Sequence, residues 1–407
     1  MLKFTARNYA RIAQAALTRS VPVYAHFGIT HRCNLTCKMC GIWRYGNEKE
    51  ELGLDEIRAM AGRMRRLGVV QLSIGGGEPF AVAHLEQAAK AFIDEGLNLR
   101  ILTNGIGAGN GRNVVEGPRY LDRVDACIDV GVKNFSISLD SLYPRRFDYV
   151  CEVDGAWNEA VRTMTHIAGR LHGVAGSMPT INCVVSNLNL EELPDMVRFA
   201  REIGFAISFL PVELLADQKE GVGNWEGRFI RYRPEMGVYK ADSVDEVRAR
   251  VDRAYDALVQ MKADGWPILN STPYLEASRD YLKFGRFPAE GCDAGKLYFS
   301  VAPNGQFTIC HRTVHQHKSF LDPDFEDYFH SAVYERKRLM EAGTCEGCMR
   351  ACWIDTSSMF RTMRGFFETT RLSLTPRTRP PADWDGAAAW ARHDDVPIVP
   401  EMAASAR

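Results

Sequence analysis

Between residues 20 and 211 the sequence alternates short apolar runs with amphipathic segments, and this alternation restricts the fold more than any other feature. The apolar runs have the length of buried strands, and apolar residues at helical spacing separate them. Strands that alternate with helices form a parallel sheet with right-handed crossovers. The predicted strands are residues 21–28, 69–74, 98–103, 133–140, 180–186 and 205–211, and the predicted helices are residues 54–67, 83–95, 118–130, 155–172 and 190–203.

A sixth helix is predicted between Ser243 and Gly265 and ends the barrel. Six strand–helix units are fewer than the eight of a closed TIM barrel. The sequence therefore predicts an α/β fold, a partial (β/α)6 TIM-like barrel followed by a small cysteine-rich hairpin-plus-helix module. A chain of 407 residues with 46% hydrophobic and 25% charged residues can bury a sizeable core. The predicted parts are an N-terminal amphipathic helix in residues 1–19, the barrel in 20–265, the module in 266–365 and a loosely structured tail in 366–407.

The composition excludes several classes of partner. A formal net charge of −1 provides no field that would gather nucleic acid. No apolar run reaches the ~18 residues that a membrane span needs. Eight of the 11 cysteines are grouped in metal-binding spacings, and the cysteines follow no signal peptide, which is typical of a reducing compartment rather than of a disulfide scaffold. We therefore expect a cytoplasmic protein that does not bind nucleic acid.

Two segments outside the alternation have open interpretations. Residues 2–18 place apolar side chains largely on one helical face with basic residues beside it. Packing along the barrel is favoured, and a peripheral helix on a membrane surface is the alternative. Residues 213–240 predict a long loop, rich in aromatic residues and arginine, at the mouth of the barrel. It is interpreted either as a substrate cover or as a mobile insertion.

The first predicted strand leads into a loop that carries Cys33, Cys37 and Cys40 in a C-x3-C-x2-C spacing. Thiolate clusters select zinc, Cu(I) or iron and sulfur, and a closed zinc site or an ordinary cubane takes four protein ligands. A cubane with three protein ligands leaves one iron without a protein ligand. That iron is free to bind the amino and carboxylate groups of a small molecule. A buried or zinc-binding cysteine group is the alternative.

Further candidate residues stand directly after the next predicted strands. Carboxyl ends of parallel strands meet at one face, so these residues should lie near the cysteines. Glycine lets backbone approach a ligand closely, and turn or capping roles are the alternative. The candidates are Gly75, Gly76, Gly77, Glu78, Thr103, Asn104, Gly105, Ser138, Asp140 and Ser141. The later Gly107, Gly109 and Gly111 predict a flexible loop, because no helical periodicity starts on them.

These motifs resemble the radical S-adenosylmethionine (radical SAM) superfamily, whose signature is this cysteine spacing with a bulky residue, here Met39, before the third cysteine. The resemblance implies a [4Fe–4S] cluster on the three cysteines, with SAM on the remaining iron and Met39 against its adenine. It also implies reductive cleavage of SAM to a 5'-deoxyadenosyl radical. The other implied SAM contacts are Gly76, Gly77 and Glu78 of a GGE element, Asn104 of a TNG element, and Ser138 and Asp140 of an SLD element.

A second cysteine group lies in the C-terminal part and consists of Cys292, Cys310, Cys345, Cys348 and Cys352. Two β runs about an Asn304-Gly305 turn predict a hairpin that brings Cys310 back toward Cys292. The pattern resembles SPASM and twitch extensions, which implies one auxiliary cluster. We assign it to Cys292, Cys310, Cys345 and Cys348, with Cys352 as the spare thiol. Structural zinc is the alternative.

Cys127, Cys151 and Cys183 stand alone in the sequence and are interpreted as packing residues.

The expected function is hydrogen abstraction by a radical SAM enzyme, with net oxidation or modification of a small molecule or a peptide. The resemblance also implies an external electron donor such as flavodoxin or ferredoxin. About twenty residues precede the barrel, which we expect to disfavour a leader-dependent peptide. One alternative is modification of a lipid or isoprenoid at a membrane surface. An alternative of another class is a non-catalytic iron–sulfur electron carrier or zinc-binding module.

Overall fold

The computed structural model describes residues 5–46, 51–109, 117–186, 188–212, 244–287, 292–310, 317–345, 347–374 and 380–393. The strands are β1 (Tyr24–Thr30), β2 (Gln71–Gly76), β3 (Asn98–Thr103), β4 (Asn134–Ser138), β5 (Thr180–Val185), β6 (Ala206–Pro211), β7 (Tyr298–Val301) and β8 (Phe307–Thr308). They form one sheet in the order β6-β5-β4-β3-β2-β1-β7-β8. The sheet therefore extends from the predicted barrel into the predicted module.

The helices of the barrel half are α1 (Ala6–Thr18), α2 (Leu54–Leu67), α3 (Leu85–Asp94), α4 (Gly117–Asp129), α5 (Pro144–Cys151), α6 (Ala156–Leu171), α7 (Leu193–Glu202) and α8 (Val244–Ala263). Those that follow are α9 (Thr272–Phe284), α10 (Phe325–Phe329), α11 (Ala332–Thr344), α12 (Ala351–Arg361), α13 (Met363–Leu374) and α14 (Trp384–Ala388). Short 3-10 turns cover Ile42–Tyr45, Pro79–Ala81 and Leu190–Glu192.

The six predicted strands are β1 to β6, and each neighbouring pair is parallel. One face of the sheet is apolar because alternate side chains pack against the helices, as Phe27 of β1 packs on Phe92 of α3 with ring centroids 6.1 Å apart. The α/β class and the partial barrel are confirmed. Helix α5 was not predicted: Phe147, Val150 and Cys151 stand at helical spacing, but eight residues are too short a stretch to establish a period.

The opposite face of the sheet is polar. Arg100 on β3 donates hydrogen bonds to Ser136 Oγ at 2.9 Å and to Thr180 Oγ1 at 2.7 Å. His26 on β1 lies 3.4 Å from Ser300 Oγ on β7. A complete TIM barrel has a packed interior in which branched apolar residues dominate. The inner face of this partial barrel is polar instead.

The predicted hairpin forms, and it is joined to the barrel sheet. β8 is antiparallel to β7, and Gly305 in the connecting turn has a φ of +78°, which glycine tolerates best. β7 in turn pairs in parallel with β1, with Tyr298 opposite Tyr24. The sequence predicted the hairpin but not its docking, because strand pairing over such a long separation leaves no local pattern.

The far edge of the sheet is continued by the chain that leads into α9. Ile268 forms a parallel bridge with Ile207 of β6, and Asn270 Oδ1 accepts a hydrogen bond from Phe209 N at 2.6 Å. Helix α9 itself begins at a Ser271 cap, whose side chain accepts from Tyr274 N. This edge is thus closed by polar contacts rather than by a further full strand.

Helix α1 lies partly on the protein. Ala15 is buried, and Arg7 Nη2 donates to the carbonyl oxygen of Arg65 at 2.9 Å. Leu17 and Tyr9, from the predicted apolar face, are 86% and 50% exposed. Packing along the barrel therefore accounts for only part of that face.

Residues 380–393 differ from the predicted loosely structured tail because they pack against the barrel. Trp390 makes an edge-on contact with Phe199 of α7 at 6.1 Å, and Ala382 N donates to Glu202 O at 3.0 Å. Arg392 N donates to Leu142 O at 2.9 Å. The prolines and alanines around this segment suggested loose attachment, but its tryptophan gives it apolar area to bury.

Several predicted features lie outside the described residues: the loop of residues 213–240, the glycine at position 111, and the ends of the chain before residue 5 and after residue 393. The side chain of Cys352 is outside them as well, although its backbone belongs to α12. Across the described part of the chain, no helix combines the length and apolar character that crossing a membrane requires.

Candidate active site

The cysteine loop of residues 33–40, called here the first cysteine loop, follows the carboxyl end of β1 and lies directly on the glycines that follow β2. Gly77 N donates to Thr30 O at 2.7 Å. A Cβ atom on Gly76 would lie 2.1 Å from Thr30 O, and one on Gly77 would lie 2.0 Å from Arg32 O. The two glycines are therefore required for backbone contact with the residues before Cys33. Their predicted contact with SAM stays a prediction.

Glu78 connects the ends of β2 and β3. Its carboxylate accepts hydrogen bonds from Thr103 Oγ1 at 2.8 Å, Asn104 N at 2.9 Å and Phe80 N at 3.1 Å. Burial raises the pKa of Glu78 to about 7, although these hydrogen bonds oppose the increase. The carboxylate predicted to hold the SAM amino group thus also fixes the backbone of the TNG element.

Asn34 is a buried site residue that the sequence did not reveal. Its Nδ2 donates to Ile106 O at 2.8 Å and to Ala108 O at 2.7 Å, and its Oδ1 accepts from Asn104 Nδ2 at 2.8 Å. An asparagine beside a cysteine has no pattern that marks it for such a role. The first cysteine loop and the loop after β3 are consequently fixed to each other.

The expectation of a flexible loop at Gly107 and Gly109 is wrong for the described residues. Gly107 N and Ala108 N both donate to Glu159 Oε2 at 2.9 Å. A Cβ atom on Gly109 would lie 2.5 Å from Asn34 O. The glycines permit close packing of backbone on backbone, so here they mark rigidity rather than freedom.

Helix α5 supports the middle of the first cysteine loop. Lys38 N donates to Val150 O at 3.0 Å, and Lys38 Nζ and Thr36 Oγ1 both donate to Glu152, at 2.8 Å and 2.7 Å. Cys151 is buried next to Cys37, and its hydrogen bond to that thiol, together with burial, raises the pKa of Cys151 well above its usual range. Cys151 is therefore close to a candidate ligand, which its interpretation as a packing residue did not foresee.

The three thiols of the first cysteine loop interact with one another. Burial raises the pKa of Cys33 to about 12, and negative charge on Glu78, Cys37 and Cys40 adds to the increase. Burial also raises the pKa of Cys40. Crowded thiolates in such surroundings need a compensating cation, which bound iron supplies while it deprotonates its ligands. The donor set therefore fits an iron–sulfur cluster.

Met39 and Asp140 line one pocket between the first cysteine loop and the ends of β4 and β5. Asp140 Oδ1 accepts from Val184 N at 2.7 Å, and burial raises the pKa of Asp140 to about 7. Ser138 ends β4 opposite Asn182 of β5. The full lining is Lys38, Met39, Asp140, Ser141, Arg146, Phe147, Val150, Val184, Ser186, Leu188 and Asn189. The structure thus brings two predicted SAM contacts to one cavity.

Glu192, which the sequence did not single out, accepts hydrogen bonds from residues at the rim of this pocket. Its carboxylate accepts from Ser141 Oγ at 2.9 Å, Leu142 N at 2.7 Å and Arg146 Nη1 at 3.0 Å. Burial raises the pKa of Glu192 to about 7. A buried carboxylate with three donors fixes the loop after β4 in one conformation.

The second cysteine group gathers from three places in the chain. Cys292 precedes β7, Cys310 follows β8, and Cys345 and Cys348 follow α11. Burial raises the pKa of the Cys292 thiol, and negative charge on Cys310 and Cys345 raises it further. Cys348 is close enough to Tyr298, as is Cys292, to raise the pKa of that phenol, which burial raises most. The four predicted ligands are therefore neighbours.

Within the described residues, no three His, Cys, Asp or Glu side chains form a group that could hold a metal ion. The choice between an iron–sulfur cluster and structural zinc at the second cysteine group stays a prediction.

The position of Arg350 shows that part of the second cysteine group lies near the first cysteine loop. It stands two residues after Cys348, and its positive charge moderates the burial-driven increase in the pKa of Cys40. Burial, aided by Arg350, also lowers the pKa of His26 on the polar inner face to about 4. The segment after Cys348 is thus near both the first cysteine loop and the inner face of the sheet.

Comparisons with known proteins agree with this arrangement. Residues 27–200 match the profile of the Radical SAM superfamily. The PqqA peptide cyclase of Rhizobium meliloti (strain 1021) is 27% identical over 308 residues, which cover 74% of this chain and 72% of that protein. The GTP 3',8-cyclase 1 of Mycobacterium tuberculosis (strain CDC 1551 / Oshkosh) is 28% identical over 193 residues, 45% of this chain and 49% of that protein.

A solved structure shows the same fold. The crystal structure of Streptococcus suis SuiB bound to precursor peptide SuiA superimposes with a TM-score of 0.55 at 14% sequence identity, over 84% of this chain and 75% of that one. The family profile, the sequence relatives and the fold therefore agree: residues 27–200 form a radical SAM domain, similar to enzymes that use a [4Fe–4S] cluster together with SAM, and the similarity to a PqqA peptide cyclase continues into the C-terminal part of the chain.

Proposed function

We propose that this enzyme modifies a peptide by hydrogen abstraction, with the help of an auxiliary [4Fe–4S] cluster. The observation that carries the proposal is the pairing of β7 with β1, because it places the hairpin of the second cysteine group beside the strand that leads into the first cysteine loop. Similarity to a PqqA peptide cyclase over 74% of the chain, well beyond the family profile, supports the peptide as substrate class.

The proposed ligands of the first cluster are Cys33, Cys37 and Cys40. When bound, the cluster and SAM supply the 5'-deoxyadenosyl radical that takes hydrogen from the substrate. The chain's own part is to hold these groups in place and exclude water. Glu78 and Asn34 fix the loops around the cysteines, and the proposed SAM contacts are Met39, Gly76, Gly77, Glu78, Asn104, Ser138 and Asp140.

The proposed ligands of the auxiliary cluster are Cys292, Cys310, Cys345 and Cys348. These ligands stand before β7, after β8 and after α11. The assignment of Cys352 as the spare thiol is part of the proposal. An electron acceptor at this place would make the net reaction an oxidation. We propose residues 20–265 and 266–365 as the two functional parts, even though they share one sheet.

Two further elements complete the proposal. An external donor such as flavodoxin or ferredoxin would supply electrons to the first cluster. The enzyme would work in the cytoplasm, because its crowded thiols require a reducing compartment to bind iron.

A lipid substrate is the second candidate, and the exposure of α1 favours it. Leu17 is 86% exposed and Tyr9 is 50% exposed, and α1 contains no acidic residue. A helix of this composition suits an anionic membrane surface. The experiment below separates the two substrate classes.

Deuterium transfer into 5'-deoxyadenosine identifies the substrate class directly. The reconstituted enzyme is incubated anaerobically with SAM and dithionite, together with peptide, small-molecule or lipid fractions from cells grown on deuterated medium. We expect deuterated 5'-deoxyadenosine with the peptide fraction, and loss of the label after protease treatment of that fraction. Label from the lipid fraction alone would replace the peptide proposal with the second candidate. Absence of 5'-deoxyadenosine from every reaction would refute the proposed radical chemistry itself.

A further inference from the structure

Tyr298 is a fully buried residue of β7 that contacts a predicted cluster ligand. Its hydroxyl lies 2.7 Å from Cys292 Sγ and 3.1 Å from Ser357 Oγ of α12. The residue was not among those that the sequence singled out. A tyrosine inside an apolar strand is usually a packing residue, and only the structure shows where its hydroxyl is directed.

The surroundings of this hydroxyl are fixed from several sides. Asp293 N donates to Ser357 Oγ at 3.2 Å. The Asp293 carboxylate receives two hydrogen bonds from Arg361, at 2.7 Å and 2.8 Å. Asp293, the neighbour of Cys292, is therefore tied to α12, while Tyr298 belongs to β7. The contact between the phenol and the sulfur is part of an ordered network rather than a surface encounter.

The direction of the hydrogen bond follows from the chemistry of a ligand. A cysteine that binds iron is a thiolate and has no proton to donate. The Tyr298 hydroxyl must then be the donor and the Cys292 sulfur the acceptor. Hydrogen bonds to cluster sulfurs are among the factors that set the reduction potential, because they stabilise the more negative, reduced state.

We propose that Tyr298 is a positioning residue that sets the reduction potential of the auxiliary cluster through its hydrogen bond to Cys292. The inference rests on the proposed assignment of Cys292 as a ligand. With the bond present, the cluster accepts an electron more readily than it would beside an apolar ring. Ser357 holds the phenol at the angle that keeps this bond.

The chain offers a matched control in Tyr334 of α11. Tyr334 is also buried, and its hydroxyl donates to Gly295 O at 2.7 Å. It therefore holds the same segment, residues 292–298, but through a backbone carbonyl instead of a sulfur. Tyr298→Phe and Tyr334→Phe each remove one buried hydrogen bond, and only the first removes a bond to a ligand.

The potential of the auxiliary cluster is measured in full-length protein in which Cys33, Cys37 and Cys40 are alanine, so that one cluster remains. We expect Tyr298→Phe to keep its iron. The equilibrium constant for one-electron reduction of the cluster should fall about tenfold, which lowers the reduction potential by about 59 mV. Tyr334→Phe should leave the potential unchanged. An unchanged potential in Tyr298→Phe, an equal shift in both variants, or loss of iron from Tyr298→Phe alone would overturn the tuning role.

A second measurement uses the same parent protein, in which Cys33, Cys37 and Cys40 are alanine and only the auxiliary cluster remains. The Fe–S(Cys) stretching bands of that cluster, recorded by resonance Raman spectroscopy, should shift when the protein is transferred from H2O to D2O and should lose that shift in Tyr298→Phe. A parent spectrum without a deuterium shift would overturn the inference on its own. If the parent protein retains no iron at all, the proposed function is wrong about the auxiliary cluster, and the role of Tyr298 does not arise.

Discussion

The two cysteine groups of this enzyme are built in opposite ways. The first cysteine loop is one segment. It is held by Gly77 on Thr30 just before it, by the Asn34 side chain on the loop after β3, and by Lys38 on helix α5. The second cysteine group is collected from a hairpin and from the end of a helix, over residues 292 to 348. Its order depends on long-range contacts such as Arg361 with Asp293. A local site can be recognised from sequence spacing, whereas a collected site depends on how distant elements dock.

The same contrast has an energetic side. The strand that leads into the first cysteine loop is paired on both edges, with β2 and with β7. The strand β8 before Cys310 has two residues and lies at the edge of the sheet. Loss of one ligand should therefore leave the first loop folded, while the second group should be more sensitive to its metal.

Replacing a ligand of the first cysteine loop should have the largest effect. We expect Cys33→Ala, Cys37→Ala or Cys40→Ala to abolish reductive cleavage of SAM, because a cubane with two protein ligands is not held. The auxiliary cluster should persist, at about four irons per chain. Iron analysis and assay of 5'-deoxyadenosine in dithionite measure both. Wild-type amounts of 5'-deoxyadenosine from any of these variants would disprove the assignment.

Ligand replacement in the second cysteine group should halve the iron. Two cubanes give about eight irons per chain, and Cys292→Ala or Cys345→Ala should leave about four. Cys352→Ala serves as the control and should keep about eight, because Cys352 is assigned as the spare thiol. If Cys352→Ala loses iron and Cys345→Ala does not, the two thiols exchange roles. Zinc in place of iron in the wild-type protein would remove the auxiliary cluster from the mechanism.

Asn34 offers the most selective test of how the first cysteine loop is held. Asn34→Ala removes three buried hydrogen bonds, and we expect a loss of about 2 kcal/mol in the free energy of unfolding. SAM should bind about tenfold more weakly, which is about 1.4 kcal/mol. Both are measured anaerobically, by urea titration and by the SAM dependence of cleavage.

Asn270→Ala is the matched control for this prediction. Asn270 is equally buried and bonds Phe209 N at 2.6 Å and Ser208 Oγ at 3.2 Å, at the far edge of the sheet. Asn270→Ala should lower the free energy of unfolding by a comparable amount and leave SAM binding unchanged. An equal effect of both variants on SAM would mean that Asn34 acts through general stability rather than through the loop.

The sequence predicted what is local in this molecule. The strands β1 to β6 and the hairpin about Asn304 and Gly305 follow from periodicity and turn signals. The family was indicated by the resemblance of the cysteine motif and its neighbouring motifs to the radical SAM superfamily. It did not predict that β7 joins β1, that Glu192 and Asn34 hold the site, or that Cys151 lies against Cys37. These features depend on contacts between residues far apart in the chain, which leave no periodic pattern. Helix α5 was missed because it is too short to establish a period, although its buried side chains stand at helical spacing.

The pairing of β1 with β7 also has a consequence for synthesis. His26 and Ser300 are register partners, yet 274 residues separate them. At roughly 5 to 20 residues per second, a ribosome needs roughly 15 to 55 seconds to make the chain between them. Throughout that time β1 can pair only with β2, and one row of its backbone groups stays open. If an iron–sulfur cluster is inserted before residue 301 emerges, the first cysteine loop still follows a strand that is paired on one edge only. An assembly factor that acts after the whole chain has been made binds a better-ordered site.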